Sequence, residues 1–459
     1  MEAHQLDQLF EDHHMINKVI KLRLYPTTEL VDALPQLSGN ERFVWNRCVT
    51  FNRYYHALFP DSDPVNNYVL IPEMTKWKKQ FKFLKYNDST GLQKVVERFS
   101  MALKNMLSYY KDLRNGKHPR KIGLPKYKSK KHDLQAFGGK VVNHNLRVVD
   151  ENHLKLPKFK DPQRVSSTVD LAGWKIKEYR VCLLGDGTYE LNLFVEGDIQ
   201  AMKHAGKITG VDCNLKNLVT LSNGKTYPSF KSRQLRNLMR RSIKYQRKMS
   251  RAYYRAQVIM RREQEEKALI QHDLSYFKNY WKYRRLFNHY NLKIKRIKLD
   301  YYNKVANDIV QNYDVIVFEK LNVQNMMKNH FVAKAIGNAS WYLFRQIVTY
   351  KALWNNKLVI TVGPQYTTQT CHHCEFAHEL DDDCKIGPSQ RSWQCPRCGH
   401  TLRRDQNAAI NIKKRFLKQS DKYLKQQFNA LRLFDPHKFA RNHTNILWKN
   451  ALEIYASVL

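Results

Sequence analysis

The sequence predicts a multidomain protein, in which a small β-barrel split by a helical lobe precedes an α/β domain with an inserted cysteine-rich module. Three observations support this prediction: buried-strand patterns that end on carboxylates, two Cys-x-x-Cys pairs, and a large excess of basic residues. The chain has 459 residues, too many for one simple domain, and 42% of them are hydrophobic, enough to fill several cores.

The charge of the chain indicates the class of its partner. Lys and Arg number 79 against 41 Asp and Glu, which gives a net charge of +38. Such an imbalance favours a polyanion, most often a nucleic acid. We expect no membrane partner, because no apolar run reaches the ~18 residues that span a bilayer. Met1–His14 is acidic and polar, unlike a signal peptide.

The N-terminal half is predicted to form strands, then helices, then strands again. Residues 16–26 alternate apolar and basic side chains and end at a proline, which predicts a half-buried strand. From 28 to about 110 apolar residues recur every three or four positions, which predicts helices. Residues 154–196 return to alternation around a turn at Gly185–Gly187. The two sets of strands would form a barrel that flanks the helical insert.

Between Lys76 and Lys85, lysines interleave with Trp77, Phe81 and Phe83. This mixture suits contact with a nucleic-acid backbone combined with base stacking, and it equally suits an ordinary amphipathic helix. The sequence leaves these two interpretations open.

Two further basic segments indicate nucleic-acid contact. Residues 114–131 form a basic stretch punctuated by Gly and Pro, which we expect to lie along phosphates. Residues 231–262 carry twelve Lys or Arg and no Asp or Glu, on a helical pattern that continues into a second long helix. Without acidic partners for i, i+4 pairs, this hairpin favours nucleic-acid contact over a merely solvated surface.

Carboxylates stand at three comparable places in the second half. Asp212 ends the buried strand pattern 208–212, Glu319 ends the pattern 314–319, and Asp405 opens the last helix pattern. With the strand at 358–362, the predicted order is β-β-β-α-β-α-β, then the cysteine-rich module, then α. That order predicts a ribonuclease H-like layer, a central sheet covered by helices.

The cysteine-rich module has the spacing of a zinc ribbon. Two Cys-x-x-Cys pairs about twenty residues apart offer four thiolates to one tetrahedral Zn²⁺. The predicted ligands are Cys371, Cys374, Cys395 and Cys398. His372, His373, His378 and Cys384 are alternative ligands, and disulfide pairing is the alternative to zinc. The remaining cysteines show no pairing pattern, which indicates a reducing, intracellular compartment.

Taken singly, each carboxylate has an ordinary explanation. Asp212 would cap a turn, Glu319 would pair with Lys320, and Asp405 would cap its helix. Taken together at about 4 Å, they would repel by about 4 kcal/mol per pair at an effective dielectric near 20. They stay ionised together only around cations. We therefore predict two Mg²⁺ ions held by oxygen ligands, a site for phosphodiester hydrolysis.

Three stretches carry a family resemblance: G-V-D-C-N-L-K-N-L-V-T-L-S-N-G, V-I-V-F-E-K-L-N-V, and the cysteine pairs followed by R-D-Q-N-A-A-I-N-I. They resemble the three RuvC motifs and the zinc ribbon of TnpB, a family of transposon-encoded RNA-guided nucleases related to type V CRISPR effectors. The resemblance covers roughly residues 16–415. It implies the following arrangement: first segment of an OB-like wedge barrel (1–30), helical recognition lobe (31–135), second segment of the wedge barrel (136–205), RuvC nuclease (206–365), zinc ribbon (366–400), final RuvC helix (401–415) and C-terminal extension (416–459).

The resemblance also implies an activity. The protein would be a metal-dependent DNA endonuclease with Asp212, Glu319 and Asp405 as catalytic acids. Its partners would be a guide RNA from the element's own transcript and a double-stranded DNA target beside a short motif. We expect a monomer in a prokaryotic cytoplasm, at the nucleoid, or in a nucleus if the relative is eukaryotic. One departure is Glu375, where the family usually has Gly after the second cysteine. The other is the extension 416–459, which has no assigned role.

Three other functions remain open at this point. A small type V CRISPR effector would use a guide from a separate array. A DNA-binding repressor would keep the fold without cleavage, against which the presence of all three acids argues. A DDE transposase also has a carboxylate triad on this kind of fold, but it gives no reason for a zinc ribbon just before the last acid.

Overall fold

The computed structural model describes residues 15–419, except 61, 63, 118–120, 131–134, 199–204, 231, 356 and 378–389. The chain divides into two compact units. The N-terminal unit comprises Ile16–Gly197 and Ala256–His289, and the C-terminal unit contains the described parts of Asp198–Arg255 and Tyr290–Leu459. The tail from residue 420, His378 and Cys384 lie outside the described residues.

A seven-stranded sheet in the order β2-β6-β7-β1-β5-β4-β3 dominates the N-terminal unit. Alternation in β1 buries Ile20, Leu22 and Leu24 and leaves the basic side chains outside, as predicted. Three strands were not predicted, β2, β3 and β5, because they are short or glycine-containing. The strands are β1 Met15–Tyr25, β2 Ala136–Lys140, β3 Arg147–Asp150, β4 His153–Lys155, β5 Gln163–Val165, β6 Lys175–Leu183 and β7 Tyr189–Asp198.

The helical insert of this unit has its own core, as the apolar stripes predicted. Its helices are α1 Thr28–Leu58, α2 Asn67–Gln80 and α3 Ser89–Arg114, with a 3-10 helix at Lys82–Tyr86. Trp77 is buried in this core and Phe81 packs against it. The base-stacking interpretation is therefore wrong for Trp77, because its ring is covered by the neighbouring helices. Phe83 is partly exposed, at 38%.

The C-terminal unit contains a five-stranded sheet in the order β10-β9-β8-β11-β12. Strands β8, β11 and β12 are mutually parallel, and β9 and β10 continue the sheet antiparallel. This arrangement follows the element order that the sequence predicts. The strands are β8 Ile208–Asp212, β9 Asn217–Leu221, β10 Thr226–Pro228, β11 Val315–Glu319 and β12 Leu358–Val362.

Helices cover both faces of this sheet. One face packs against side chains of α5 and α8, including Ile309 and Phe344, and the other packs against Ile412 and Phe416 of α9. The long basic hairpin is α4 and α5, as predicted, whereas the short α6 and α7 were not predicted. The helices are α4 Arg233–Glu265, α5 Lys278–Asn312, α6 Val323–Met326, α7 His330–Ala339, α8 Trp341–Trp354 and α9 Arg404–Lys418.

Within the described residues, none of the helices combines the length and the apolar character that crossing a membrane requires.

Candidate active site and metal centre

The topology brings two of the predicted acids to one edge of the sheet. Asp212 is the last residue of β8, and Glu319 is the last residue of β11. The two strands are parallel neighbours, and Val211 lies opposite Phe318. Asp212 follows Val211, and Glu319 follows Phe318. The two acids therefore lie side by side at the carboxyl ends of β8 and β11.

Helix α9 brings the third acid to the same edge. It packs directly on β8, where a Cβ atom on Gly210 would lie only 2.0 Å from the carbonyl oxygen of Ala409. No side chain fits there, so glycine is what permits the close approach of helix and strand. Asp405 lies one turn before Ala409, in the first turn of α9. Because α9 packs this closely on β8 at Gly210, Asp405 lies near the carboxyl end of β8.

Asp212 lies within the electrostatic influence of the other two acids. Asp212 is only 6% exposed. Burial raises the pKa of its carboxyl to about 7, and the negative charges of Asp405 and Glu319 add to the rise. Burial also raises the pKa of Glu319, although the Thr367 hydroxyl donates to its Oε1 at 3.0 Å and favours the charged form. Ionisation of Asp212 and Glu319 is therefore energetically unfavourable in the folded protein.

None of the ordinary explanations accounts for these carboxylates. The turn after Asp212 is capped by Asn214, whose Oδ1 accepts the backbone N–H of Asn217 at 2.7 Å. In the described structure the hydrogen-bond partner of Glu319 is a hydroxyl and not Lys320. Helix α9 has no side-chain cap at its N-terminus.

The expected separation of about 4 Å between all three acids is not observed. Among the described residues, only the cysteine cluster forms a group of three or more ligands whose atoms all lie within 4.8 Å of one another. Like charges repel, and carboxylates approach that closely only around a cation. Instead, the guanidinium of Arg391 lies 3.4 Å from Asp405.

The four predicted cysteines do come together. Their sulfur atoms lie within 4.8 Å of one another, with 3.8 Å between Cys371 and Cys398 and 3.6 Å between Cys374 and Cys395. A tetrahedron with Zn–S bonds of ~2.3 Å has sulfur–sulfur edges of about 3.8 Å. All four are free thiols, so the disulfide alternative is not observed. The cluster fits one Zn²⁺.

The two zinc knuckles share one backbone geometry with different residues. The N–H of Glu375 donates to the carbonyl of Cys371, and the N–H of Gly399 donates to that of Cys395. Glu375 has φ of 60° and Gly399 has φ of 69°. The left-handed conformation suits glycine and strains glutamate. A hairpin of β13 Ser392–Gln394 and β14 Thr401–Arg403, which was not predicted, supports the second knuckle.

Two asparagines of α9 dock the ribbon beside the acids. Asn407, buried at 1% exposure, accepts the N–H of His372 at 2.9 Å and donates to the carbonyl of Thr370 at 2.8 Å. Asn411 donates to the carbonyl of Thr367 at 2.9 Å. The sequence analysis assigned these residues no role, although two asparagines four apart on an apolar helix face were the available signal.

The alternative zinc ligands do not replace the cysteines. The ring of His372 bonds to Asn407 at 3.0 Å, so it is turned towards α9. The ring of His373 stacks on that of His400 with 4.8 Å between the ring centroids. The cysteine assignment is therefore consistent with the positions of the two described alternatives.

In the N-terminal unit, much of the basic segment 114–131 is fixed along α1. The carboxamide of Asn46 donates to the carbonyl of Lys128 at 3.0 Å and accepts its N–H at 2.8 Å. The Trp45 ring nitrogen donates to the carbonyl of Lys126 at 2.9 Å. We name residues 121–130 the basic strap. Its backbone is bound to α1 at Lys126 and Lys128, and most of its lysines are exposed.

Comparison with known proteins agrees with these features. Residues 192–330 match a family profile described as “Probable transposase” of the OrfB IS605 type, and residues 15–57, which form β1 and α1, match the helix-turn-helix domain of the same type. Residues 341–412 match “Cas12f1-like, TNB domain”. The chain therefore contains domains similar to those of the OrfB IS605 type and of Cas12f1-like proteins.

Two curated relatives match most of the chain. “Putative RNA-guided DNA endonuclease InsQ” of Escherichia coli is 24% identical over 426 residues, covering 86% of this chain and 91% of the relative. A relative of the same printed activity from Streptomyces pristinaespiralis is 24% identical over 408 residues, covering 86% and 89%. A Cas12f1–sgRNA–target DNA complex aligns at a TM-score of 0.39 with 14% identity, over 87% of this chain and 99% of that one.

Proposed function

We propose that the chain is an RNA-guided, Mg²⁺-dependent DNA endonuclease of an insertion sequence, with Asp212, Glu319 and Asp405 as its catalytic acids. The observation that supports this proposal most is the placement of the acids: Asp212 and Glu319 end neighbouring parallel strands, and Asp405 lies in the first turn of the helix that packs on one of them. The excess of positive charge and the printed names of the relatives support it. The five-stranded sheet would be the RuvC-type nuclease, and the seven-stranded sheet the OB-like wedge barrel, with the domain boundaries expected from the sequence.

The donor set fits Mg²⁺, which prefers carboxylate oxygens. The raised pKa of Asp212 reflects a cost of ionisation that a divalent cation beside the three acids would relieve. Bound there, Mg²⁺ would supply an activated water and stabilisation of the leaving oxygen. Zinc in the ribbon would be structural, since all four positions around it are filled by cysteine.

The surrounding residues would keep the acids in place and charged. Thr367 donates to Glu319 and favours its ionised form, and Arg391 holds the carboxylate of Asp405. Asn407 and Asn411 bind the backbone at the start of the ribbon, so Thr367 stays beside Glu319. This single site would cut both DNA strands in succession.

Sequence recognition would belong to the RNA. Guide–target base pairing would read the sequence, while the protein holds the heteroduplex by its backbone and reads a short flanking motif. The basic strap and the basic hairpin α4–α5 are the surfaces that we propose for these contacts. We propose that the protein works as a monomer with an RNA from the element's own transcript.

The first experiment is to express the protein with its native flanking DNA and sequence the RNA that co-purifies. One discrete RNA with a structured constant region and a free terminal segment is the expected result, and that segment names the target. Heterogeneous host RNA alone would contradict guiding by the element's transcript. The second candidate function is a CRISPR effector, because residues 341–412 match a Cas12f1-like domain. Cleavage that occurs only with an RNA from a separate array would favour this second candidate.

The catalytic assignment is tested on a target DNA that pairs with that segment. Alanine at Asp212, Glu319 or Asp405 is expected to lower the cleavage rate by at least about 10³-fold and to leave target binding intact. Asp300, an exposed acid paired with Lys304 on α5, supplies the matched alanine control. Guided binding without any cleavage by the wild-type protein would instead identify a repressor.

A further inference from the structure

The polypeptide between two of the proposed catalytic acids is depleted of negative charge. Residues 320–374 contain six Lys or Arg and no Asp or Glu. This stretch includes α8, whose buried Phe344 meets Phe318 of β11 edge to face, with 6.3 Å between the ring centroids. Phe318 directly precedes Glu319. The first turns of α8 therefore lie beside the strand end that carries a catalytic acid.

Arg345 follows Phe344 and is half-buried. In the described residues its guanidinium contacts the ring of Tyr342 at 5.8 Å and has no carboxylate within 4.0 Å. A half-buried cation without an acidic partner is costly, which makes it a candidate for binding an anion.

Tyr342 supplies an aromatic surface next to this cation. It is 58% exposed, and its hydroxyl accepts a hydrogen bond from Gln346 Nε2 at 2.9 Å. Gln346 and Arg345 together restrict the ring, so little conformational freedom is lost when a flat group stacks on it. Unpaired nucleobases stack on aromatic side chains in this manner irrespective of sequence.

We propose that Arg345 and Tyr342 form the binding surface for the DNA strand that is cut. The guanidinium of Arg345 binds a backbone phosphate adjacent to the scissile one, in the forked geometry that arginine forms with phosphate. Tyr342 stacks on an unpaired base of the same strand. The surface thereby selects a strand that has been released from the duplex, and this inference rests on the function proposed above.

Cleavage kinetics of the guide-loaded protein test the two contacts separately. Arg345→Ala is expected to slow cleavage on the order of 10²-fold, and Arg345→Lys to recover some of the loss, because lysine keeps the charge without the fork. Tyr342→Ala is expected to raise KM for single-stranded DNA about tenfold, and Tyr342→Phe to behave as wild type. Lys351→Ala, on the last turn of α8, is the matched control.

Binding supplies a readout that does not depend on cleavage. Fluorescence anisotropy of a labelled single-stranded DNA is measured on the guide-loaded protein in EDTA. Arg345→Ala and Tyr342→Ala are each expected to weaken binding about tenfold, whereas Lys351→Ala is not. Wild-type affinity and cleavage in both variants would overturn the inference. So would loss of the co-purifying RNA from Arg345→Ala, because the arginine would then bind guide rather than target.

The inference and the function on which it rests fail differently. If the wild-type protein cleaves no DNA with any RNA, the proposed function fails, while the anisotropy comparison still decides whether this surface binds a strand. If the wild-type protein cleaves DNA and the variants match it in rate and affinity, the proposed strand-binding surface is refuted, whereas the proposed nuclease function is supported.

Discussion

The ionised carboxylate of Asp212 should destabilise the metal-free folded protein. The free energy of unfolding of the Asp212→Asn variant, compared with that of the wild type, should measure this destabilisation. Asn has nearly the same shape, and it retains an oxygen that can accept the hydrogen bond donated by Asn214, at 3.3 Å in the wild type. It removes only the charge. Because burial and two neighbouring acids raise the pKa of Asp212 from 3.8 to about 7, the ionised form is the unfavourable one in the folded state.

The pKa difference sets the magnitude and the pH window. Below pH ~4 the carboxyl is protonated in both the folded and the unfolded chain, so ionisation adds no penalty. Between pH ~4 and ~7 only the unfolded chain ionises, and the free energy of unfolding falls as pH rises. Above pH 7 the penalty is complete, and the interval from 3.8 to about 7 corresponds to about 4 kcal/mol at 1.36 kcal/mol per pKa unit.

The assay is chemical unfolding in EDTA at pH 5 and pH 8, for the wild-type protein and Asp212→Asn side by side. The difference between the two proteins isolates this carboxyl from every other titrating group. Asp212→Asn should be the more stable protein at pH 8, by up to about 4 kcal/mol, and the advantage should shrink at pH 5. A difference that is the same at both pH values would refute the reasoning that burial and the neighbouring acids raise the pKa of Asp212 in the folded protein.

Three other substitutions test the supports of the site. Gly210→Ala should destabilise the protein by about 3 kcal/mol in the same unfolding assay, because its Cβ would lie 2.0 Å from the Ala409 carbonyl, whereas Gly363→Ala, with only one atom within 4.0 Å, should be near neutral. Glu375→Gly should tighten zinc binding about fivefold in chelator competition by relieving a strained φ of 60°, and an unchanged affinity would mean that the strain is absent. Asn46→Ala should release the basic strap and weaken target-DNA binding by a cleavage-deficient protein about tenfold, with little change in melting temperature.

Periodicity and buried-strand patterns were sufficient to predict most of the long elements. The strands that end on Asp212 and Glu319 were predicted because continuous apolar runs are buried on both sides of a sheet. Strand β2 was missed because it contains Gly138 and Gly139, which lower strand propensity. In the structure a Cβ on Gly138 would lie 2.3 Å from the carbonyl of Tyr179, so the glycine serves a close approach that no one-dimensional pattern reveals.

The sequence was sufficient to predict which cysteines come together, but not which side chains hydrogen-bond the ribbon and the acids. Cysteine spacing fixes which side chains meet, because each knuckle is a local turn. The residues that join ribbon and acids, such as Thr367 and Asn407, act across 48 and 35 positions of the chain. Their partners are a carboxylate and a backbone N–H, and no local pattern marks a residue for such a role. Only the folded topology shows that these contacts connect the zinc knuckle to the carboxylates.

The distribution of arginines explains how a strongly basic protein keeps three acids and still attracts a polyanion. Three arginines act on the acids, one on each: Arg404 on Asp212, Arg415 on Glu319 and Arg391 on Asp405. These positive charges reduce the negative potential that would otherwise repel a phosphate backbone. Arg345 differs from them because no carboxylate takes up its charge within the described structure. Its charge is therefore available to the phosphate that we propose it binds, whereas Arg391 is paired with Asp405.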